Sequence, residues 1–285
     1  MRTGAGGKPK PHGPRQAMRK YWHVINIGIQ NTLVYRVNFL ARSLFGLVPL
    51  LATLYLWRAI YRDQPSGEQV AGYSLAKMTS YYLAVTLVDM LTAVTDDDWQ
   101  IAADIKDGNI SQFLLKPMDY LKYRLCLFGA NRLVYTIVAM GPTLVFLWWQ
   151  REYLVGPPDG WTAVLFVVSL ILAALLQFFI SFTMALLAFW VLDVSAFILM
   201  LFAFEYLAGG HLFPLDILPP GLAQALAFTP FPYQLFFPVS IYLGQTTGPG
   251  LARGLLLQFA WVLAFYGLAR WVWSRGIIKY SAVGG

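Results

Sequence analysis

Long apolar runs, broken mainly near their ends by charged side chains, alternate with short polar connections along this chain of 285 residues. A bilayer core about 30 Å thick takes about 20 residues of helix, and a lysine or arginine near a helix end can snorkel back to water. On that criterion six spans are predicted, at 39–60, 73–94, 126–149, 161–192, 194–207 and 254–273. The fourth holds no charge, glycine or proline over its 32 residues and reads as one long tilted helix; the fifth is short. Ahead of the first span, Trp22, Ile25, Ile29 and Leu33 recur at helical spacing after the basic pair Arg19 and Lys20, the pattern of a helix lying in the membrane interface. Residues 1–17 are rich in glycine, proline and basic side chains, without the apolar core of a cleaved signal peptide, and read as a disordered basic tail preceding a membrane domain at 18–285.

Composition sharpens this into a fold class. Apolar residues make up 58% of the chain and charged residues only 12%, against about 25% charged in soluble domains, so the chain must meet lipid as an all-α integral membrane protein. The net charge of +7 is unevenly placed. Eight of the 21 basic residues fall in 1–42, four in 96–124 and three in 270–285, whereas the connections assigned to the other side hold five. That bias puts both termini in the cytosol and makes the charge an address relative to the bilayer, not a surface for nucleic acid. The single cysteine, Cys126, and the widely separated His12, His23 and His211 offer no metal-ligand spacing, so neither a metal nor a cofactor on this chain is expected.

Two connections carry more than turn signals. Residues 208–250 are almost uncharged yet crowded with glycine and proline, and the apolar pieces 222–228 and 233–243 are too short to cross. They are predicted as re-entrant helices at the outer face, an outer gate or a structural plug, with Glu205, Gly209, Gly210, His211, Pro214, Pro230 and Pro232 as its candidate residues. Residues 96–124 form the longest charged connection: Asp96, Asp97 or Asp98 can cap a short helix, Ile101 and Ile105 share one face, Asp104 and Asp107 the other, and Gly108 ends it. Such a helix could dock on a cytosolic partner through Trp99 or lie on lipid headgroups. Within the spans, Asp89 and Arg132 fall at similar depth on neighbouring helices, which suggests an ion pair, since an isolated intramembrane charge costs at least about 2.5 kcal/mol.

The stretches DIKDGNISQFLLKPMDY (104–120), GGHLFPLDILPPGL (209–222), PFPYQLFFP (230–238) and KYSAVGG (279–285) resemble the membrane subunits of type-2 ATP-binding-cassette (ABC) exporters, in a bacterial branch often encoded beside a second permease and an ATPase. The resemblance implies six spans with an N-terminal elbow helix, a coupling helix at about 98–107, and outer re-entrant helices after the fifth span. It also implies a bacterial inner-membrane permease that meets membrane lipids, pairs with an identical or homologous permease and binds two nucleotide-binding subunits, which carry the ATP and magnesium. On that reading Trp99, Ile101, Ile105 and Phe113 make the apolar ATPase contact, with Asp104 and Asp107 as polar partners. This chain has no G-x-x-x-x-G-K-[ST] loop, so the ATPase must be another polypeptide, and the chain reads as non-catalytic. The cargo expected is amphipathic, lipid-like or a peptide, moved outward by alternating access. Two other classes stay open: a secondary transporter or channel working without an ATPase, and an intramembrane prenyl or lipid transferase using the aspartates around 96–107 to hold magnesium and a diphosphate.

Overall fold

The computed structural model describes residues 14–62, 69–70, 72–94 and 97–284, with side chains from residue 19 to residue 280. Most of the basic tail at 1–17, and Asp96, lie outside the described residues. Every named element is helical: α1 (Pro14–Leu33), α2 (Arg36–Arg62), α3 (Leu75–Thr92), α4 (Asp97–Lys106), α5 (Ile110–Leu114), α6 (Tyr120–Trp149), α7 (Gly160–Ala185), α8 (Ser195–Ala208), α9 (Pro220–Ala227), α10 (Phe236–Tyr242) and α11 (Gly248–Gly284). Among the described residues, α2, the run from α3 into α4, α6, α7 with its following turn, and α11 are long and apolar enough to cross a membrane. With 14 residues, α8 is shorter and spans about 21 Å.

Short polar side chains set where these helices begin. Ser74 accepts from the Lys77 amide at the start of α3, Asp119 from the Lys122 amide at α6, and Asp159 from the Thr162 amide at α7, each satisfying a donor that the first turn leaves free. Burial differs sharply among the long helices: 65% of the apolar window beginning in α3 is buried, against 17% in α2. The bundle is therefore built around α3, which packs on α2, α6, α7 and α10, while α1 lies along α6. Gly28 permits that approach, because a β-carbon there would stand 2.9 Å from the Cβ of Ala130.

The run predicted as one long helix over 161–192 is a single span, Gly160–Phe189, that ends three residues early. Its α-helical part ends at Ala185, and a tighter 3₁₀ turn, Leu186–Phe189, turns the chain towards α8. Phe189 locks that turn by packing onto Gly276 of α11, where a β-carbon would come within 2.2 Å of the ring. Between α8 and α11, α9 and α10 have eight and seven residues and neither can cross. The first buries none of its residues fully, while α10 buries Phe237, Val239 and Ile241 against the bundle.

Candidate functional site

The α4–α5 unit is held from inside. Ile101 and Ile105 are 1% and 4% exposed and pack with Ala102 against α7 and the 3₁₀ turn after it. Phe113 is buried among Tyr120 and Tyr123, both with ring centroids 4.9 Å away. Asp104 forms an ion pair with the buried Arg124 and accepts from the Tyr120 hydroxyl at 2.9 Å. Ile101, Ile105, Phe113 and Asp104 are thus taken up within the chain, which corrects the docking surface predicted from the sequence: amphipathicity identified a face, but that face points inward. What faces outward is Trp99, Ala103, Lys106 and Asp107, one helical stripe, followed by Leu115, which is 87% exposed. Gly108, at φ 76°, follows the end of α4 and separates it from α5, and its carbonyl accepts from the Tyr280 hydroxyl of α11. Arg270 of α11 pairs with Asp119. Burial opposes ionisation of Asp119, but the Lys122 amide and the Arg270 guanidinium together outweigh it and hold the carboxyl below the usual carboxylate range.

A cleft of about 570 Å³ opens among α2, α3, α6, α7 and α8. It brings together residues expected at two separate places, Asp89 and Arg132 from the spans and Glu205 and His211 from the supposed outer gate. The predicted Asp89–Arg132 ion pair is not formed. The Asp89 carboxylate faces His211 Nε2 at 3.2 Å, and the Arg132 guanidinium instead donates to the carbonyls of Asp89 and Met90, at 3.4 and 3.1 Å. Equal depth on adjacent helices left the rotation of each helix open, and here it turns the carboxylate towards α8. His211 is also stacked on Tyr206, centroids 4.9 Å apart and planes 18° from parallel. Glu205 is buried and accepts from the side-chain amides of Gln177 at 3.2 Å and Gln234 at 3.0 Å.

The glycine- and proline-rich segment is what carries His211 and Gln234 to this cleft. Tyr81 and Tyr82 of α3 donate to the carbonyls of Gly210 and Leu212, and the Phe236 amide donates to the carbonyl of Gly209. Gly210 adopts φ 99° with the Tyr81 hydroxyl against it, a position that only glycine fills without strain. Pro214 is buried ahead of a 3₁₀ turn, from which Asp216 accepts the Tyr73 hydroxyl at 2.9 Å. Pro230 opens the turn Phe231–Tyr233, and buried Pro232 within it delivers Gln234 to Glu205. Reasoning from the sequence missed Gln177, Gln234, Arg124 and the tyrosines at 73, 81 and 82. Uncharged amides and hydroxyls inside apolar runs were the available signal.

A second cavity of about 470 Å³ lies among α1, α2 and α6, with Asn31, Asn38, Gln100 and Asn131 on its walls. Both cavities share Arg42 and Tyr135. The helical bundle thus sets a polar cleft beside a braced α4–α5 unit. A family model described as ABC-2 family transporter protein matches residues 47–284, and the chain belongs to that family. It is a multi-pass membrane permease of a type-2 ABC transporter, a class that works with ATP-binding subunits on separate proteins. No curated protein matches the chain.

Proposed function

We propose that this chain is the non-catalytic permease of an ATP-driven exporter in a bacterial inner membrane, with both termini in the cytosol and α8 serving as a short fifth span. In this reading α1 is the elbow helix and α4 the coupling helix. The ATPase seats on the outward stripe Trp99, Ala103, Lys106 and Asp107, extended by Leu115, and a closing nucleotide-bound dimer of ATPase subunits pushes on that stripe. The observation that carries the reading is the bracing of α4: Ile101 and Ile105 packed on α7 and Asp104 on Arg124 make the helix a rigid lever attached to two long helices. Trp99 stands both on this stripe and at the edge of the cleft, so force on α4 reaches the cleft directly.

The cleft would hold an amphipathic cargo during alternating access. Exposed apolar side chains of α8 line its edge, Leu199 at 60% and Phe202 at 62%, and a second permease, identical or homologous, would close against them. ATP and magnesium belong to the two partner subunits. The test is gentle purification of the tagged chain followed by reconstitution. Co-purifying ATPase and ATP-dependent transport, abolished by a hydrolysis-deficient partner, are expected; transport by the chain alone without ATP would overturn the proposal in favour of a secondary transporter.

A further inference from the structure

The hydrogen bonds of the cleft show what it still lacks. Each acid lining it already has a donor: His211 on Asp89, the Gln177 and Gln234 amides on Glu205, and the Trp99 amide on Asp98. The guanidiniums do not have matching acceptors. Arg132 is 8% exposed, yet its Nε is buried without a hydrogen-bond partner among the described residues and only Nη1 finds carbonyls. Asp97 and Asp89 attract it electrostatically, yet five guanidinium donors served by two carbonyls leave hydrogen-bonding capacity for an oxyanion. Arg42, exposed on α2, has no hydrogen bond or ion pair among the described residues, and it lines this cleft and the adjoining cavity alike. Tyr135 joins them: Arg132 lies 5.1 Å over its ring, and the ring lines both cavities.

We propose that Arg42 and Arg132, with Tyr135 between them, form the headgroup site for an anionic amphiphile, its acidic head on the guanidiniums and its apolar tail along Leu47, Leu199 and Phe202. The site names the cargo class of the permease cleft and rests on that reading. The two shared wall residues suggest the route: the head passes from the space beside α1, along Arg42, to Arg132, while the tail stays against the exposed side chains of α8. Arginine suits this task because its planar fork binds phosphate or carboxylate through two parallel hydrogen bonds. A bilayer phospholipid and a dedicated cargo would present the same chemistry.

The experiment uses the full chain in phosphatidylcholine nanodiscs and three dye-labelled probes with the same dodecyl tail, ending in phosphate, alcohol or trimethylammonium. The phosphate probe should bind at least about tenfold more tightly than the other two, roughly the value of one charge-assisted hydrogen bond. R132Q and R42Q should each reduce that preference, whereas R132K, which keeps the charge but not the planar fork, should retain only part of it. Added phosphatidylglycerol should compete if the ligand is a bilayer lipid and leave binding unchanged if it is a distinct cargo; the headgroup preference stands in both cases. Equal affinity of the wild-type chain for phosphate and alcohol probes, or preference for trimethylammonium, would overturn the proposal, and this comparison needs no variant to fold. ATPase association is measured in parallel. A chain that binds its ATPase but shows no headgroup preference refutes only the site, and the converse refutes only the permease assignment.

Discussion

At the scale of single residues, charge placement separates bracing from recognition. Arg124 is 5% exposed at its side chain and depends on Asp104, so Asp104→Ala leaves a nearly buried guanidinium without its carboxylate. Removing one partner of a buried pair costs about 3–5 kcal/mol; with Asp104 itself 32% exposed, about 2 kcal/mol is expected, seen as a lowered thermal midpoint of the purified chain. Asp119 gives a pH dependence of known sign. Its folded pKa is depressed, so its contribution to stability is fully present above the ordinary carboxylate value of about 4 and is lost as pH falls through the depressed one. Thermal unfolding followed across that acid range should therefore fall more steeply for the wild type than for Asp119→Asn, which keeps the helix cap but cannot titrate. None of these partners was legible from spacing alone. Asp104 looked like a surface acid because its helix is short and charged, and Arg124, twenty positions later, reaches it only through the fold.

At the scale of elements, α4 divides into a face buried within this chain and an exposed face that the proposed function assigns to a partner. Reversing Lys106 and Asp107 together (K106E with D107K), or introducing Leu115→Asp, should weaken ATPase association about tenfold or more while leaving the thermal midpoint nearly unchanged, because exposed substitutions usually cost within about 0.5 kcal/mol. Ile105→Asp should instead unfold the unit, since it buries a charge in an apolar seat. Affinity measured with purified ATPase, beside thermal unfolding of the same samples, checks both; loss of stability in the outward variants would show that the stripe is structural. The helical period made this division visible as two faces, and only packing on α7 and the 3₁₀ turn decided which one is inside. The same holds for the segment between α8 and α11. Proline and glycine marked it as non-spanning, but the three tyrosines of the α3 region determine that it folds back onto the bundle and carries His211 into the cleft.

At the scale of the whole molecule, the braced lever and the open cleft predict that transport changes the width of the cleft. Cysteines at Leu47 of α2 and Phe202 of α8, in a chain with Cys126 replaced by serine, should cross-link with a yield that changes when ATP is added with the partner ATPase, and a short cross-linker should block transport. A yield independent of nucleotide would argue against movement of these walls. That this is a helical membrane protein was legible in the chain's composition and pattern: too few polar residues to cover a soluble globule, helical runs long enough for a bilayer, and basic residues gathered in a few stretches. Hydrophobic length and charge count survive any rotation of a helix about its axis, which is why they could be read in one dimension. Partners do not survive it. That Asp89 meets His211, that Glu205 rests on two glutamine amides, and that Arg132 lines the cleft with its Nε unpartnered were decided only by tertiary packing, because each depends on how far a helix is turned and on which distant segment is pressed against it.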